Sequence, residues 1–177
     1  ASIIWKFVYD YKSGESTQIG LLNQILDWLG LETYNFLLNE PWNTFFLIVI
    51  LVWIQAGFAM TLLSASIKAI PEDIVEAARL DGVSGWKMFR HITVPSIRPT
   101  LIVVLTTITI ATLKVFDIVQ TATGGNFGTS VLAYEFYRQS FVANNPGLAA
   151  AIAVVIFVLV MPIVIYNVRQ MRKLEAR

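Results

Sequence analysis

From Pro41 to Ile67 the chain carries no charged side chain. That is enough apolar helix to cross the hydrocarbon core of a bilayer, which asks for roughly 20 residues. A second run, Pro99 to Thr121, carries only Lys114 and Asp117, and a third, Gly147 to Val168, carries no charge. In lipid every backbone N–H and C=O must be satisfied within the protein, so runs of this kind fold as helices. The pattern predicts an all-α, polytopic membrane helix bundle with spans over residues 42–67, 99–121 and 147–168. Ser2 to Val8 reads as the outer end of a further span, residues 1–9, cut by the start of the sequence. It is too short, and too soon followed by charges, for a signal peptide.

Composition agrees. Hydrophobic residues make up 56% of the chain and charged residues 14%, where a soluble domain carries about a quarter charged residues. The mean hydropathy is +0.64. A net charge of +1 offers no argument for a nucleic-acid partner, and the absence of cysteine excludes disulfides, metal thiolate sites and a thiol nucleophile. His91 is the only histidine and has no neighbours at metal-ligand spacing. No metal site is expected, and no paired carboxylates suggest a catalytic centre. There is also no Gly-Lys-Ser/Thr phosphate loop, so the chain is not expected to bind or hydrolyse ATP itself.

Residues 9–40 are polar, with Asp10, Lys12, Glu15, Asp27, Glu32 and Glu40. Within them Ile19, Leu22, Ile25, Leu26 and Leu29 recur at helical spacing, with Asn23, Gln24 and Asp27 on the other face. This predicts an interfacial amphipathic helix. Val131 to Phe141 predicts a second short helix. Pro162 is expected to kink or loosen the last span.

Charge sets the orientation. Lys68, Arg79, Lys87, Arg90 and Arg98 lie between the first two complete spans, and Arg169, Arg172, Lys173 and Arg177 lie in the tail. Residues 9–40 hold one lysine, and residues 122–146 hold only Arg138. The positive-inside rule places the 68–98 segment and the C-terminus in the cytoplasm. Parity agrees, because two spans separate them.

The 68–98 segment is built like a docking device. Pro71 fits a first helical turn, and Glu72 and Asp73 suit the positive end of the helix dipole. Gly82 suits the left-handed residue that ends such a helix. Ser84 can cap a second short helix through His91. Ile74, Val75, Ala78 and Leu80 form an apolar face, and Trp86 and Phe89 are expected to anchor the second helix against the bundle.

The order Glu76-Ala77-Ala78, then Gly82, then Ile92 and Pro95 resembles the cytoplasmic "EAA" loop of ABC importer permeases. Ile70-Pro71, Leu113 to Asp117 and Thr123-Gly124-Gly125 are similar to the carbohydrate-uptake branch, above all to alpha-glucoside and maltose-type permeases. The resemblance runs over nearly all of the chain. Such permeases are longer, which implies further spans on the N-terminal side. It also implies the type I importer fold and a coupling loop, residues 68–98, in which Glu76, Ala77, Ala78, Asp81, Gly82 and Pro95 meet a separate ATPase dimer. The other implied partners are a second permease, an extracytoplasmic sugar-binding protein and the lipid bilayer of a bacterial inner membrane. The permease would have no catalytic site or cofactor of its own, since ATP belongs to the partner subunit.

The sugar path is less marked. Leu51, Ile54, Gln55 and Phe58 form one helical strip that, by position, resembles the family segment facing transported sugar. An amide beside an aromatic ring suits a sugar, although core packing is the better account of Leu51 and Ile54. Lys114 and Asp117, three residues apart, are expected to share a helix face. They either line the path or pair with each other and hold the spans together. The rival classes are an ion-gradient-driven secondary transporter, which needs no docking loop, and a membrane-embedded enzyme, which needs converging acid, base or metal groups.

Overall fold

In the computed structural model, residues 1–13 and 17–175 are described. Glu15 and Arg177, named above for their place in the charge pattern, lie outside them. The described residues are helical with turns and contain no strand. The helices are α1 (Ser2–Val8), α2 (Leu21–Trp28), α3 (Trp42–Lys68), α4 (Glu72–Leu80), α5 (Gly85–Met88), α6 (Val94–Ser96), α7 (Arg98–Leu113), α8 (Asp117–Ala122), α9 (Leu132–Tyr137) and α10 (Pro146–Glu175). One π-helical turn, Phe89–Thr93, joins α5 to α6, and another, Arg138–Val142, follows α9.

Two helices, Trp42–Lys68 and Pro146–Gln170, are long and apolar enough to cross a membrane. Their apolar residues point all round. Phe45, Ile48, Val52 and Trp53 on α3 are exposed, as are Val154, Phe157 and Val158 on α10. That is the character of helices whose solvent is lipid or other membrane protein. α10 runs through Pro162 as one helix.

The middle run departs from expectation. The sequence predicts one span over 99–121, but α7 stops at Leu113 and α8 begins at Asp117. At 1.5 Å per residue, the 16 residues of α7 reach about 24 Å, short of a hydrocarbon core of about 30 Å. At its other end α7 meets the Gly85–Ser96 helix at a bend of 73°. Ile97, buried to 4% exposure, sits at this elbow. Pro95 explains the irregular turn before it. Proline has no N–H to give to the carbonyls behind it, and the ladder slips to the wider spacing in which the Val94 N–H donates to the Phe89 carbonyl.

The chain divides into two compact units. The first comprises Ala1–Ile54 and Thr112–Val158. Its core is Tyr9, Phe36, Leu37, Leu47, Ile50, Ile118, Val119 and Ala122. Tyr9 is ringed by aromatic neighbours, with Phe36 at 5.5 Å and Phe46 at 5.6 Å between ring centroids, and its hydroxyl donates to the Phe46 carbonyl at 3.2 Å.

In this unit the expected faces of α2 are partly reversed. Asn23, placed on the polar face by its spacing, is fully buried, while Ile25, Trp28 and Leu29 are exposed. Leu22 and Leu26 do pack on the core. Asn23 goes inward because its amide meets backbone that only the fold supplies. Its Nδ2 donates to the carbonyls of Asp10 at 2.8 Å and Tyr34 at 3.1 Å, and its Oδ1 accepts from the Tyr34 N–H at 2.8 Å. Asn43, also buried, donates through Nδ2 to the Phe127 carbonyl at 2.6 Å and ties α3 to the glycine-rich turn after α8.

The second unit comprises Gln55–Ala111 and Leu159–Arg177. Ala78, Ile97 and Val104 are its buried apolar residues. The hydroxyls of Ser66 on α3 and Thr100 on α7 share a hydrogen bond of 2.8 Å, the kind of polar glue that joins helices in membranes.

Candidate coupling loop and translocation residues

The loop of the second unit folds as its sequence demands at one end and differently at the other. α4 opens after Pro71 with Glu72 and Asp73 in its first turn. It closes in a Schellman motif. The Val83 N–H donates to the Ala78 carbonyl at 2.9 Å, and the Gly82 N–H donates to the Arg79 carbonyl at 3.0 Å. Gly82 has φ +77°, the left-handed conformation this motif requires. Ser84 takes the N-cap position of the next helix, but its side chain makes no capping bond.

The faces are again informative. Ala78 is buried, Val75 is half-buried, and Glu76, Ala77, Asp81, Gly82 and Pro95 are exposed. Leu80, expected on the packed face, is 90% exposed. Trp86 and Phe89, expected to anchor against the bundle, are also exposed and stack on each other at 5.2 Å. The helical period alone could not tell these outward apolar residues from inward ones. Between the end of α3 and α4 an open, mostly polar cavity of about 400 Å³ is lined by Ile67, Lys68, Ile70, Glu72, Val75, Glu76 and Arg79. Two carboxylates and two cations face this space, and no ion pair joins them among the described residues. The loop therefore presents exposed apolar side chains and unpaired charges together.

Leu51, Ile54, Gln55 and Phe58 do share a strip of α3 by their spacing. Leu51 and Gln55 are half-buried, while Ile54 and Phe58 are exposed. Leu51 lines an apolar cavity of about 170 Å³ in the first unit, formed with Leu47, Thr112, Val115, Ile118 and Val131 among others. This cavity lies at the break between α7 and α8. Non-helical backbone at membrane depth is tolerated where protein or a cavity surrounds it.

Lys114 and Asp117 do not share a helix face. Lys114 follows the last residue of α7, Asp117 is the first residue of α8, and both are exposed. Among the described residues no ion pair joins them. Each is placed by its own helix end, a cation at a negative C-terminus and a carboxylate at a positive N-terminus. Residues three apart share a face only in a continuous helix, and here the helix breaks between them. Their substitutions are accordingly expected to be independent. The stability changes of Lys114→Met and Asp117→Leu should add in the double variant to within about 0.5 kcal/mol. Thermal melts of the three purified variants measure this, and a double variant markedly more stable than the sum would restore the pair.

α9 and its π-turn carry a polar cluster that sequence reasoning missed. Glu135 Oε1 accepts from Arg138 Nη2 at 2.7 Å and from Gln139 Nε2 at 2.5 Å. The hydrogen bond from Arg138, then that from Gln139, holds the Glu135 carboxyl below the usual carboxylate range. The i, i+3 and i, i+4 spacing was the available signal.

A family profile described as binding-protein-dependent transport system inner membrane component matches residues 3–173. The chain belongs to this family. Among its relatives, the alpha-glucoside transport system permease protein AglF of Rhizobium meliloti is 52% identical over 96% of this chain and 51% of its own length. The osmoprotective compounds uptake permease protein GgtC of Synechocystis sp. is 47% identical over 99% of this chain and 63% of its own. A crystal structure of a bacterial ABC transporter that imports the acidic polysaccharide alginate superposes with a TM-score of 0.82 at 26% identity, covering 98% of this chain and 61% of that one. The all-α permease fold expected from the sequence is thus the fold of a family member. The chain spans about half to two-thirds of the length of the relatives it matches.

Proposed function

We propose that this chain is part of the transmembrane subunit of an ATP-driven importer of alpha-glucosides and forms half of the translocation path. A second permease supplies the other half, and an extracytoplasmic binding protein delivers the sugar. A separate ATPase dimer drives alternating access through residues 71–91. The subunit itself has no catalytic site and binds no ATP. It lies in a bacterial inner membrane with the loop and the C-terminus in the cytoplasm.

One observation carries the coupling reading. α4 is locked at Gly82 by a two-bond cap, yet it leaves Leu80, Glu76 and the Trp86–Phe89 stack facing outward. A rigid short helix with an unsatisfied surface can pass a partner's movement to the elbow at Ile97 and on to α7. To the sugar path we assign Leu51, Ile54, Gln55 and Phe58 on α3, with Lys114 and Asp117 at the ends of α7 and α8. Relatives named for alpha-glucosides and for trehalose and maltose support the sugar class.

The test is to purify the full complex and measure ATP hydrolysis with binding protein that is empty or loaded with maltose, trehalose or sucrose. Stimulation by a loaded protein is the expected result. Uptake that follows an ion gradient without ATP would establish the secondary-transporter alternative instead. Single cysteines at positions 82 and 128, introduced one at a time, check the topology in intact cells. An impermeant reagent added outside should label only the second, and labelling of both overturns the orientation.

A further inference from the structure

The first unit carries an aromatic strip. Phe116, in the break before α8, stacks on Tyr134 with ring centroids 6.3 Å apart and planes at 21°. It lies 5.1 Å from Tyr137, which lies 5.4 Å from Phe141. The strip is held in place. The Tyr134 ring covers Gly125 so closely that a Cβ there has no room. The π-turn closes with the Ala143 N–H donating to the Arg138 carbonyl at 2.8 Å, and it sets Phe141 beyond the end of α9. Phe141 is 73% exposed, whereas Phe116, Tyr134 and Tyr137 are half-buried. Within the same stretch sit Glu135, Arg138 and Gln139, joined by the hydrogen bonds given above.

Flat rings on the same short helical stretch as a carboxylate and a guanidinium, with a buried amide behind them, are a combination with a specific use. A pyranose offers C–H faces that lie against aromatic rings, and hydroxyls that need donors and acceptors at the ring edge. Ligand sites in general pair apolar walls with a few placed polar groups. Arg138 adds reach, because only one of its five donors is engaged with Glu135 among the described residues.

We propose that Phe116, Tyr134, Tyr137 and Phe141, with Glu135 and Arg138 held from behind by the buried Gln139, form a landing site where the permease first holds the pyranose rings of an alpha-glucoside at the outer side of the membrane. This rests on the importer function and orientation proposed above and adds a sugar subsite distinct from the α3 strip.

The experiment uses the complete transporter in proteoliposomes, with its binding protein and with maltose, trehalose and sucrose as probes. Sugar moved and ATP hydrolysed are measured together. In the double variant Tyr137→Leu, Phe141→Leu the rings are lost but apolar bulk remains. Sugar moved per ATP should fall about tenfold, the scale expected from two lost ring contacts. Stimulation of ATP hydrolysis by loaded binding protein should stay at the wild-type level. Phe141→Leu alone, at an exposed position with little effect on folding, should lower the ratio about threefold, and Phe141→Trp should keep it within twofold of wild type. A wild-type ratio in both leucine variants overturns the landing site. So does an equal fall in transport and in ATPase stimulation, which would make the strip a contact for the binding protein. A lowered amount of complex in the membrane with an unchanged ratio would make it a lipid anchor. If the wild-type complex moves none of the three sugars, the alpha-glucoside reading fails first and the landing site falls with it.

Discussion

Gly82→Val is expected to abolish uptake while the permease still inserts into the membrane. Gly82 holds φ +77°, a region from which a Cβ is repelled by its own backbone at a cost of roughly 1–2 kcal/mol, and more for a β-branched side chain. Space is not the obstacle, because an added Cβ would meet no heavy atom within 4 Å. The obstacle is the turn itself. α4 has only nine residues, too few to be stable alone in water, so it depends on the cap that Gly82 and Val83 close. When the cap opens, the surface offered to the ATPase is lost. Gly82→Asn is the matched control, since asparagine tolerates the left-handed conformation, and it should retain most uptake. Immunoblots of membranes, retention of the ATPase on purification and sugar uptake check the pair. Equal uptake by the valine and asparagine variants would show that the left-handed turn is not needed.

The largest effect on stability is expected from Asn23→Leu. The three hydrogen bonds of Asn23 join α2 to the backbone at Asp10 and Tyr34, and the side chain is fully buried. A leucine of similar size leaves two carbonyls and one N–H without these partners. Each buried polar group left unsatisfied costs about 1–3 kcal/mol, so a loss on the order of 3–5 kcal/mol is expected. Asn23→Asp keeps an acceptor for the Tyr34 N–H but loses both donations, and it should lie between wild type and Asn23→Leu. Thermal unfolding of the detergent-solubilised proteins gives the order. Leu at or above wild type would show that water reaches these groups.

Much of this protein could be read from the chain in one dimension. The charge-free run before Ile67 and the apolar run after Gly147 became helices long enough to span a membrane, because lipid leaves a backbone no other means of satisfying its polar groups. Pro71, the acidic pair after it and Gly82 marked both ends of α4, because caps are local chemistry. The order Glu76-Ala77-Ala78, Gly82, Ile92, Pro95 carried the family.

What the tertiary structure decided were the choices that local pattern leaves open. Asn23 turned inward because Asp10 and Tyr34, distant in sequence, bring backbone groups to its amide. Leu80, Trp86 and Phe89 remained outside because no element among the described residues covers them. Lys114 and Asp117 separated because the helix breaks between them and each helix end takes the charge that suits it. The aromatic strip from Phe116 to Phe141 exists only where α9 folds back on that break. Periodicity states which residues share a face of one helix; which face is covered, and where a helix stops, depends on contacts between segments far apart in the sequence.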